Sequence, residues 1–351
     1  MMTGRRRTLL AAVVVAILAA PASAQAFSKA IWGPAFVNGA NQFPLYQRLG
    51  VKIIEAKLDW ANIAPLRPRN PADPEDPGYQ WPSDVQDIVT QAQRFHMQVL
   101  LQMIGAPRWA NGGHPSIWSP RPSAYATFAA AAARHYPSVH LWMVWGEPDR
   151  VDNFQPEVHA KPGHPLTARQ KVAPHNYARL LDAAYGSLKA VSRTNVVIGG
   201  STFTGGDIDT QSWIQNLRLP NGHPPRMDMY AHNPFSWRTP AFSPTPSPNG
   251  QVQIADLRRL AGWIDQYLER GIPIFLSEFT MPTHPDEEFP YFTTDRGQAI
   301  WVRDVLRLSR GWKRIYSLGW IHVYDDPPVS YGGLITAQGV PKPAFSAFAH
   351  G

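Results

Sequence analysis

The sequence predicts a single (β/α)8 TIM barrel, on three observations. Short apolar or β-branched runs alternate with longer segments of helical period along the chain. Eight such runs can be counted, and no linker divides them, so 351 residues with 44% hydrophobic content read as one domain with a large core. Apolar strands that alternate with amphipathic helices imply a parallel sheet covered by helices. Eight repeats imply closure rather than an open, doubly wound sheet.

In chain order the strands are expected at AIWGPAF (30–36), VKIIEAK (51–57), MQVLLQM (97–103), VHLWMVW (139–145), VVIGG (196–200), MDMYA (227–231), PIFLSE (273–278) and YSLGWIHV (316–323). The clearest helical stripe, Val85, Ile88, Val89, Ala92 and Phe95, falls between the second and third strands. Tyr177, Leu180, Leu181, Ala184, Leu188 and Val191 repeat it before the fifth strand, and Ile254, Leu257, Leu260, Ala261, Ile264 and Leu268 before the seventh. Two Pro-rich stretches, RPRNPADPEDPG (67–78) and TPAFSPTPSPNG (239–250), follow the second and sixth strands. They are expected to be long loops at the barrel end where sites are built.

Ahead of the first strand, MMTGRRRTLLAAVVVAILAAPASAQA has a basic start (Arg5, Arg6, Arg7), an apolar stretch from Leu9 to Ala20 and small residues suited to cleavage. Residues 1–24 are therefore expected to be a secretory leader, and 25–351 the mature barrel domain. The apolar stretch is shorter than the roughly 20 residues of a spanning helix and ends in Pro21, so no membrane attachment is expected after cleavage. With no cysteine in the sequence, stability must come from the core, and Cys nucleophiles and Cys-ligated metals are excluded.

The formal charge of +7 falls to +4 without the three leader arginines, and no Lys/Arg run stands out, so nucleic acid is not an expected partner. Proline, at 35 residues, is about twice its average usage. With 13 Trp, 12 Tyr and 15 Phe, the chain suits rigid loops that carry flat side chains against sugar rings.

The fourth expected strand runs into Trp145-Gly146-Glu147-Pro148-Asp149, and the seventh ends in Glu278. A glutamate that terminates a barrel strand projects over the C-terminal mouth, where substrate can reach it. Singly, such an acid is more often a capping partner or a solvated charge. A pair facing across a groove is what glycosidic cleavage needs, one carboxyl protonated for the leaving oxygen and one ionised.

In these motifs the chain resembles the retaining (β/α)8 glycoside hydrolases of clan A. It is closest in style to glycoside hydrolase family 39 and to family 5-like cellulase-type proteins. The likeness runs from about residue 30 to the C-terminus, through GVKIIEAKLDWANIAP, YQWPSDVQDIVTQAQRFHMQVLLQMIGAPRWA, YATFAAAAARHYPSVHLWMVWGEPD, PIFLSEF and GGLITAQGVPKPAFSAFA. The resemblance implies Glu147 as acid/base and Glu278 as nucleophile, with carboxyl groups about 5–5.5 Å apart. The charge on Glu278 would favour a proton on Glu147. A poly- or oligosaccharide is the implied substrate, with no cofactor and a monomeric chain.

Several positions depart from that pattern. Gly146 stands where the family has an Asn whose amide holds the sugar 2-hydroxyl. His232 matches a strand-six His-x-Tyr, but Phe235 follows Asn233 and Pro234 with no Tyr, leaving Tyr230 or Tyr324 as substitutes. Lys57 stands near where the family often carries Arg, without the bidentate fork. Trp320 falls in the strand-eight region where a tryptophan underlies the sugar, and Trp109, like Trp60 and Trp145, could line the cleft or pack in the core. Asp325 and Asp326 read as a turn before prolines.

No H-x-H on the first strand, H-E-x-x-H, G-x-S-x-G or phosphate-cradling glycine pattern is present, so metal, serine-nucleophile and nucleotide chemistry are not expected. The rival from another class is a catalytically silent, glycan-binding barrel. The missing Asn and Tyr are what erosion of an active site would leave.

Overall fold

All eight expected runs form strands: β1 (Ser28–Trp32), β2 (Ile53–Asp59), β3 (Gln98–Ile104), β4 (Leu141–Val144), β5 (Val196–Phe203), β6 (Met229–Asn233), β7 (Ile274–Phe279) and β8 (Ile315–Trp320). The computed structural model describes residues 27–351, so the expected leader lies outside the described residues. Each strand pairs in parallel with the next, and β1 also pairs with β8, Ser28 opposite Ser317 and Ile31 opposite Trp320, which closes the barrel. β1 stops at Trp32 rather than at residue 36, because Gly33 and Pro34 lead into a small hairpin of Phe36–Val37 with Ala40–Asn41.

Around the barrel lie α1 (Phe43–Arg48), α2 (Trp60–Ile63), α3 (Ser83–Arg94), α4 (Pro122–His135), α5 (Val172–Val191), α6 (Thr210–Gln215), α7 (Leu257–Tyr267), α8 (Asp295–Arg310) and α9 (Pro343–His350). The apolar stripes read from the sequence are the faces they bury. α3 covers the sheet with Val85, Ile88, Val89 and Ala92, α5 with Tyr177, Leu180, Leu181, Ala184 and Leu188, and α7 with Leu257, Leu260, Ala261 and Ile264. Ile254 belongs to a separate 3-10 turn, Ile254–Asp256, just ahead of α7. Among the described residues no helix is long and apolar enough to cross a membrane.

The Pro-rich loops are fastened rather than loose. Over 67–78 the Tyr79 hydroxyl donates to the Pro71 carbonyl at 2.6 Å and the Trp81 indole to that of Pro74 at 2.8 Å. Over 239–250 the Phe242 ring packs edge-on against Trp312 at 5.2 Å, which draws the loop down the outside of the barrel.

Inside the barrel, Ile53, Leu100, Met143, Ile198 and Phe275 form an apolar layer. Farther along the same strands the buried residues turn polar: Glu55, Gln102 and Ser277. Two register shifts shape this upper layer. On β7 the pairing passes from Leu276 opposite Leu318 to Phe279 opposite Trp320, so one extra residue sits at Ser277–Glu278. On β5 it passes from Gly200 to Thr202, leaving Ser201 extra with a left-handed φ of 51°. Such bulges bend a strand and re-aim its side chains. On β7 one lets the consecutive Ser277 and Glu278 both serve the axial side.

At Gly319 on β8, an added Cβ would lie 2.0 Å from the Ser277 carbonyl oxygen and 2.4 Å from a Glu55 carboxyl oxygen. The bulged backbone and the buried acid together leave no room for a side chain. Gly319→Ala should therefore lower unfolding free energy by about 3 kcal/mol, read as a fall in the denaturant midpoint. A midpoint equal to that of the parent would show that the two strands can part at no cost.

Candidate active site

β4 ends at Val144, and Trp145 and Glu147, on either side of Gly146, both take left-handed backbone with φ of 66° and 44°. Non-glycine residues held there cost about 1–3 kcal/mol each, so the surroundings must impose the turn. The Glu147 amide donates to the Ser201 carbonyl on the bulged stretch of β5 at 2.9 Å. The Trp145 indole donates to the Asn153 carbonyl at 2.8 Å. Asp149, fully buried, accepts the Phe203 amide at 3.0 and 3.1 Å on its two oxygens, and burial pushes this carboxyl well above the usual carboxylate range.

Three donors converge on the Glu147 carboxylate. Oε2 accepts from Arg150 Nη1 at 2.7 Å and from Asn153 Nδ2 at 3.2 Å, and Oε1 accepts from Asn233 Nδ2, at the end of β6, at 2.9 Å. The Arg150 guanidinium also lies over the Phe203 ring, 4.5 Å from its centroid. This arrangement suits a negative charge on Glu147.

Glu278 is treated differently. Half-buried, it makes no side-chain hydrogen bond among the described residues, and burial first, then the charge of Glu147, pushes its pKa up to about 8, against the opposing pull of Lys57 and Arg150. The two glutamates therefore share one mouth and feel one another. Arg150 pairs with Glu147 and not with Glu278, so the surroundings treat the two carboxyl groups unequally.

Beneath them is a third acid that the sequence reading missed. Glu55 on β2 is fully enclosed, accepts from Ser277 Oγ at 2.6 Å through Oε2 and has no partner for Oε1. Burial holds it well above the usual carboxylate range, and the nearby Glu278 adds to the effect. Its surroundings favour the neutral form.

The remaining expected residues divide into two groups. Lys57 is exposed in the mouth, its ammonium 5.5 Å from the ring centroid of Trp32, itself a mouth residue at the end of β1. Tyr324 is half-buried on the loop after β8 and donates to Gln42 Oε1 at 2.7 Å. Trp109 packs edge-on against the buried Trp60 at 5.3 Å and donates to the Ala64 carbonyl at 2.9 Å.

The others sit behind the mouth with no exposed surface. Tyr230 shares a hydrogen bond with Thr202 at 3.1 Å. His232 contacts the Val252 carbonyl at 2.8 Å through Nε2, which must carry the proton, and the Thr202 hydroxyl at 2.9 Å through Nδ1. Burial lowers its pKa to about 4, so it is neutral. Trp320 is enclosed between Phe279 and Phe348, its indole donating to the Gly332 carbonyl at 3.0 Å. In this position the ring is core and does not underlie a sugar. Asp325 accepts from Lys342 Nζ and from the Gly333 amide, both at 2.8 Å, and holds its turn together. Among the described residues no three His, Cys, Asp or Glu side chains gather in a way that could hold a metal ion.

Gly146 has a spatial explanation. An added Cβ would lie 2.9 Å from Gln102 Nε2 and 3.1 Å from Oε1, so the Gln102 carboxamide, rising from β3, occupies the space of a side chain at 146. Its own donor is met by Met143 Sδ at 3.3 Å, a weak acceptor. Gly146→Ala and Gln102→Ala should each destabilise the chain by about 1–2 kcal/mol. The double variant should lose less than the two together, since removing the amide makes room for the methyl. Strict additivity in chemical denaturation would sink this account.

No protein-family profile matches the chain, and no curated protein sequence does. Solved structures do resemble it. A family 39 glycoside hydrolase from the gut symbiont Bacteroides cellulosilyticus WH2 superposes with a TM-score of 0.64 at 17% identity, over 93% of this chain and 63% of that one. A monomeric beta-xylosidase from Caulobacter crescentus CB15 gives 0.64 at 14% identity, over 93% and 69%. A glucosidase from Croceicoccus marinus gives 0.64 at 15%, over 93% and 67%. The chain thus spans about two thirds of the length of these proteins, and what it shares with them is the (β/α)8 fold.

Proposed function

We propose that the chain is a secreted retaining glycoside hydrolase acting on O-glycosidic bonds of a poly- or oligosaccharide. Glu147 is the acid/base and Glu278 the nucleophile. The observation that carries this reading is the pair itself: two strand-end glutamates from β4 and β7 turned into one mouth, close enough for the charge of one to raise the pKa of the other. The glycosidases with the same fold add support.

In the first step the Glu278 carboxylate attacks the anomeric carbon, and Glu147 delivers its proton to the departing oxygen. In the second, Glu147 takes a proton from water, whose oxygen attacks the same carbon and frees Glu278. Arg150 is partly exposed, and a sugar seated against Glu147 displaces its guanidinium and desolvates the carboxyl, which favours the protonated form an acid needs. The Gln102 carboxamide, with only a thioether partner, takes over the 2-hydroxyl contact left open by Gly146.

The silent-binder reading has one observation in its favour: Glu147 is tied up by three donors. Release of reducing ends from a panel of polysaccharides and aryl glycosides separates the two. The hydrolase should cleave at least one substrate, with Glu278→Gln and Glu147→Ala each losing about 10³-fold or more in kcat. A chain that binds glycan as tightly as its two variants and cleaves nothing is the binder.

The coupled pair also fixes a pH dependence. The working form holds one proton between the two carboxyls, so activity should fall above about pH 8, where the pair loses it. Arg150 opposes protonation of the pair, so Arg150→Met should move this alkaline limb of kcat/KM to higher pH. A limb that stays in place or moves down would remove Arg150 from the titrating site. Export rests on the leader alone. N-terminal sequencing of the exported chain should begin after Ala24 or Ala26, and an intact Met1 would refute cleavage.

A further inference from the structure

A line of aromatic rings leaves the glutamates and ends in solvent. Arg150, paired to Glu147, lies over Phe203 at the end of β5. From there ring centroids step to Phe235 at 5.7 Å, Phe289 at 4.8 Å, Tyr291 at 5.4 Å and Trp237 at 6.0 Å. These residues come from the ends and following loops of β5, β6 and β7, so the line runs outward over that side of the mouth. The inner rings Phe235 and Phe289 are buried, whereas Trp237 is 45% exposed.

That exposure is imposed by the residues on either side. Ser236 is fully buried, its Oγ accepting the Arg238 amide at 3.0 Å and bonding Gln253 Oε1 at 3.0 Å. The Arg238 guanidinium donates to the Thr245 carbonyl at 3.1 Å and Ser247 Oγ at 3.0 Å, and lies 3.7 Å from the buried Asp256 carboxylate. The facing loop is fixed as well, since Asp286 accepts the Phe289 amide at 2.8 Å and the Tyr331 amide at 3.0 Å. A large flat ring is thus presented to water on a backbone already ordered. It can be covered without the entropy cost of ordering a loop.

We propose that Trp237 is the outer platform of an extended carbohydrate subsite, so that the substrate is a polysaccharide or long oligosaccharide reaching several units beyond the bond cleaved. Pyranose rings present C–H faces that pack on flat aromatic rings. Four ring-to-ring steps separate Phe203 from Trp237 and a pyranose is about as wide as one such ring, so Trp237 is offered to units beyond the one at the glutamates. The packed line ties the exposed Trp237 to the side of the mouth that holds Glu147, which favours a glycan chain extending from the site over a separate protein partner. This rests on the proposed function and adds the class of substrate.

The test compares wild type, Trp237→Ala and Trp237→Phe. It uses xylo- and cello-oligosaccharides of two to six units beside their 4-nitrophenyl monoglycosides, with binding of each series followed by calorimetry in the Glu278→Gln background. Trp237→Ala should lose about tenfold or more in kcat/KM and affinity for five- and six-unit chains. It should leave the monoglycoside unchanged, and Trp237→Phe should recover part of the loss. Equal effects on short and long substrates, no effect on either, or no binding of either series overturns the subsite. If wild type cleaves while chain length and Trp237 prove unrelated, only this inference falls. If nothing is cleaved but long chains bind through Trp237, the subsite stands and the hydrolase reading falls.

Discussion

The repulsion between carboxyl groups gathered in one barrel mouth is the constraint on which the upper half of this structure depends. Two unit charges 4 Å apart interact by about 4 kcal/mol at an effective dielectric near 20, a large share of the roughly 5–15 kcal/mol that holds a domain together. For Glu278 and the enclosed Glu55 burial adds to such repulsion, so ionising both beside Glu147 is disfavoured. The fold answers each one differently. Glu147 receives Arg150, Asn153 and Asn233; burial and then the charge of Glu147 raise the pKa of Glu278; burial holds Glu55 well above the usual carboxylate range. These partners arrive from several strand ends, so the compensation exists only when the barrel is closed.

The asymmetry between the two mouth glutamates follows from the burial that acts on Glu278 and from one cation that pairs with Glu147. Lys57 and Arg150 both oppose protonation of Glu278, but only Arg150 makes an ion pair, and it makes it with Glu147. An identical pair of acids would share its proton evenly and give no direction to the chemistry. Here one carboxyl is ion-paired, and the other, half-buried, accepts no side-chain hydrogen bond among the described residues. A ligand that disturbs the Arg150 pair changes the field on both carboxyls, so binding and acid/base readiness are linked through a single partly exposed side chain.

The barrel was legible in the sequence because its signals are local. An apolar run such as IPIFLSEFT and a stripe such as Val85 to Ala92 carry their own periodicity, and both lie where that periodicity puts them. Glu147 and Glu278 were legible for the same reason, each ending a strong strand. What escaped depends on contacts across the chain. Asn233 reaches a residue 86 positions away, and Glu55 meets Ser277 across 222. Arg150, three residues beyond Glu147, was within reach of the motif that named the acid, yet only the left-handed turn reveals which way it points. His232 and Trp320 show the opposite error. Their types suggest sugar contacts, but both lie with their polar nitrogens satisfied by backbone or hydroxyl groups in the interior.

Gly146 shows why position in a motif and position in space must be separated. Read along the chain, glycine beside the acid is a lost amide. Read in the barrel, the space beside it is filled by an amide from β3, and glycine is the residue that admits it. A side chain at 146 and the carboxamide at 102 compete for one volume, so either can be present but not both in full. The chemistry available at a barrel mouth is set by which groups fill that volume. Two chains can therefore present the same functional group while differing at the residue by which their motif would be recognised.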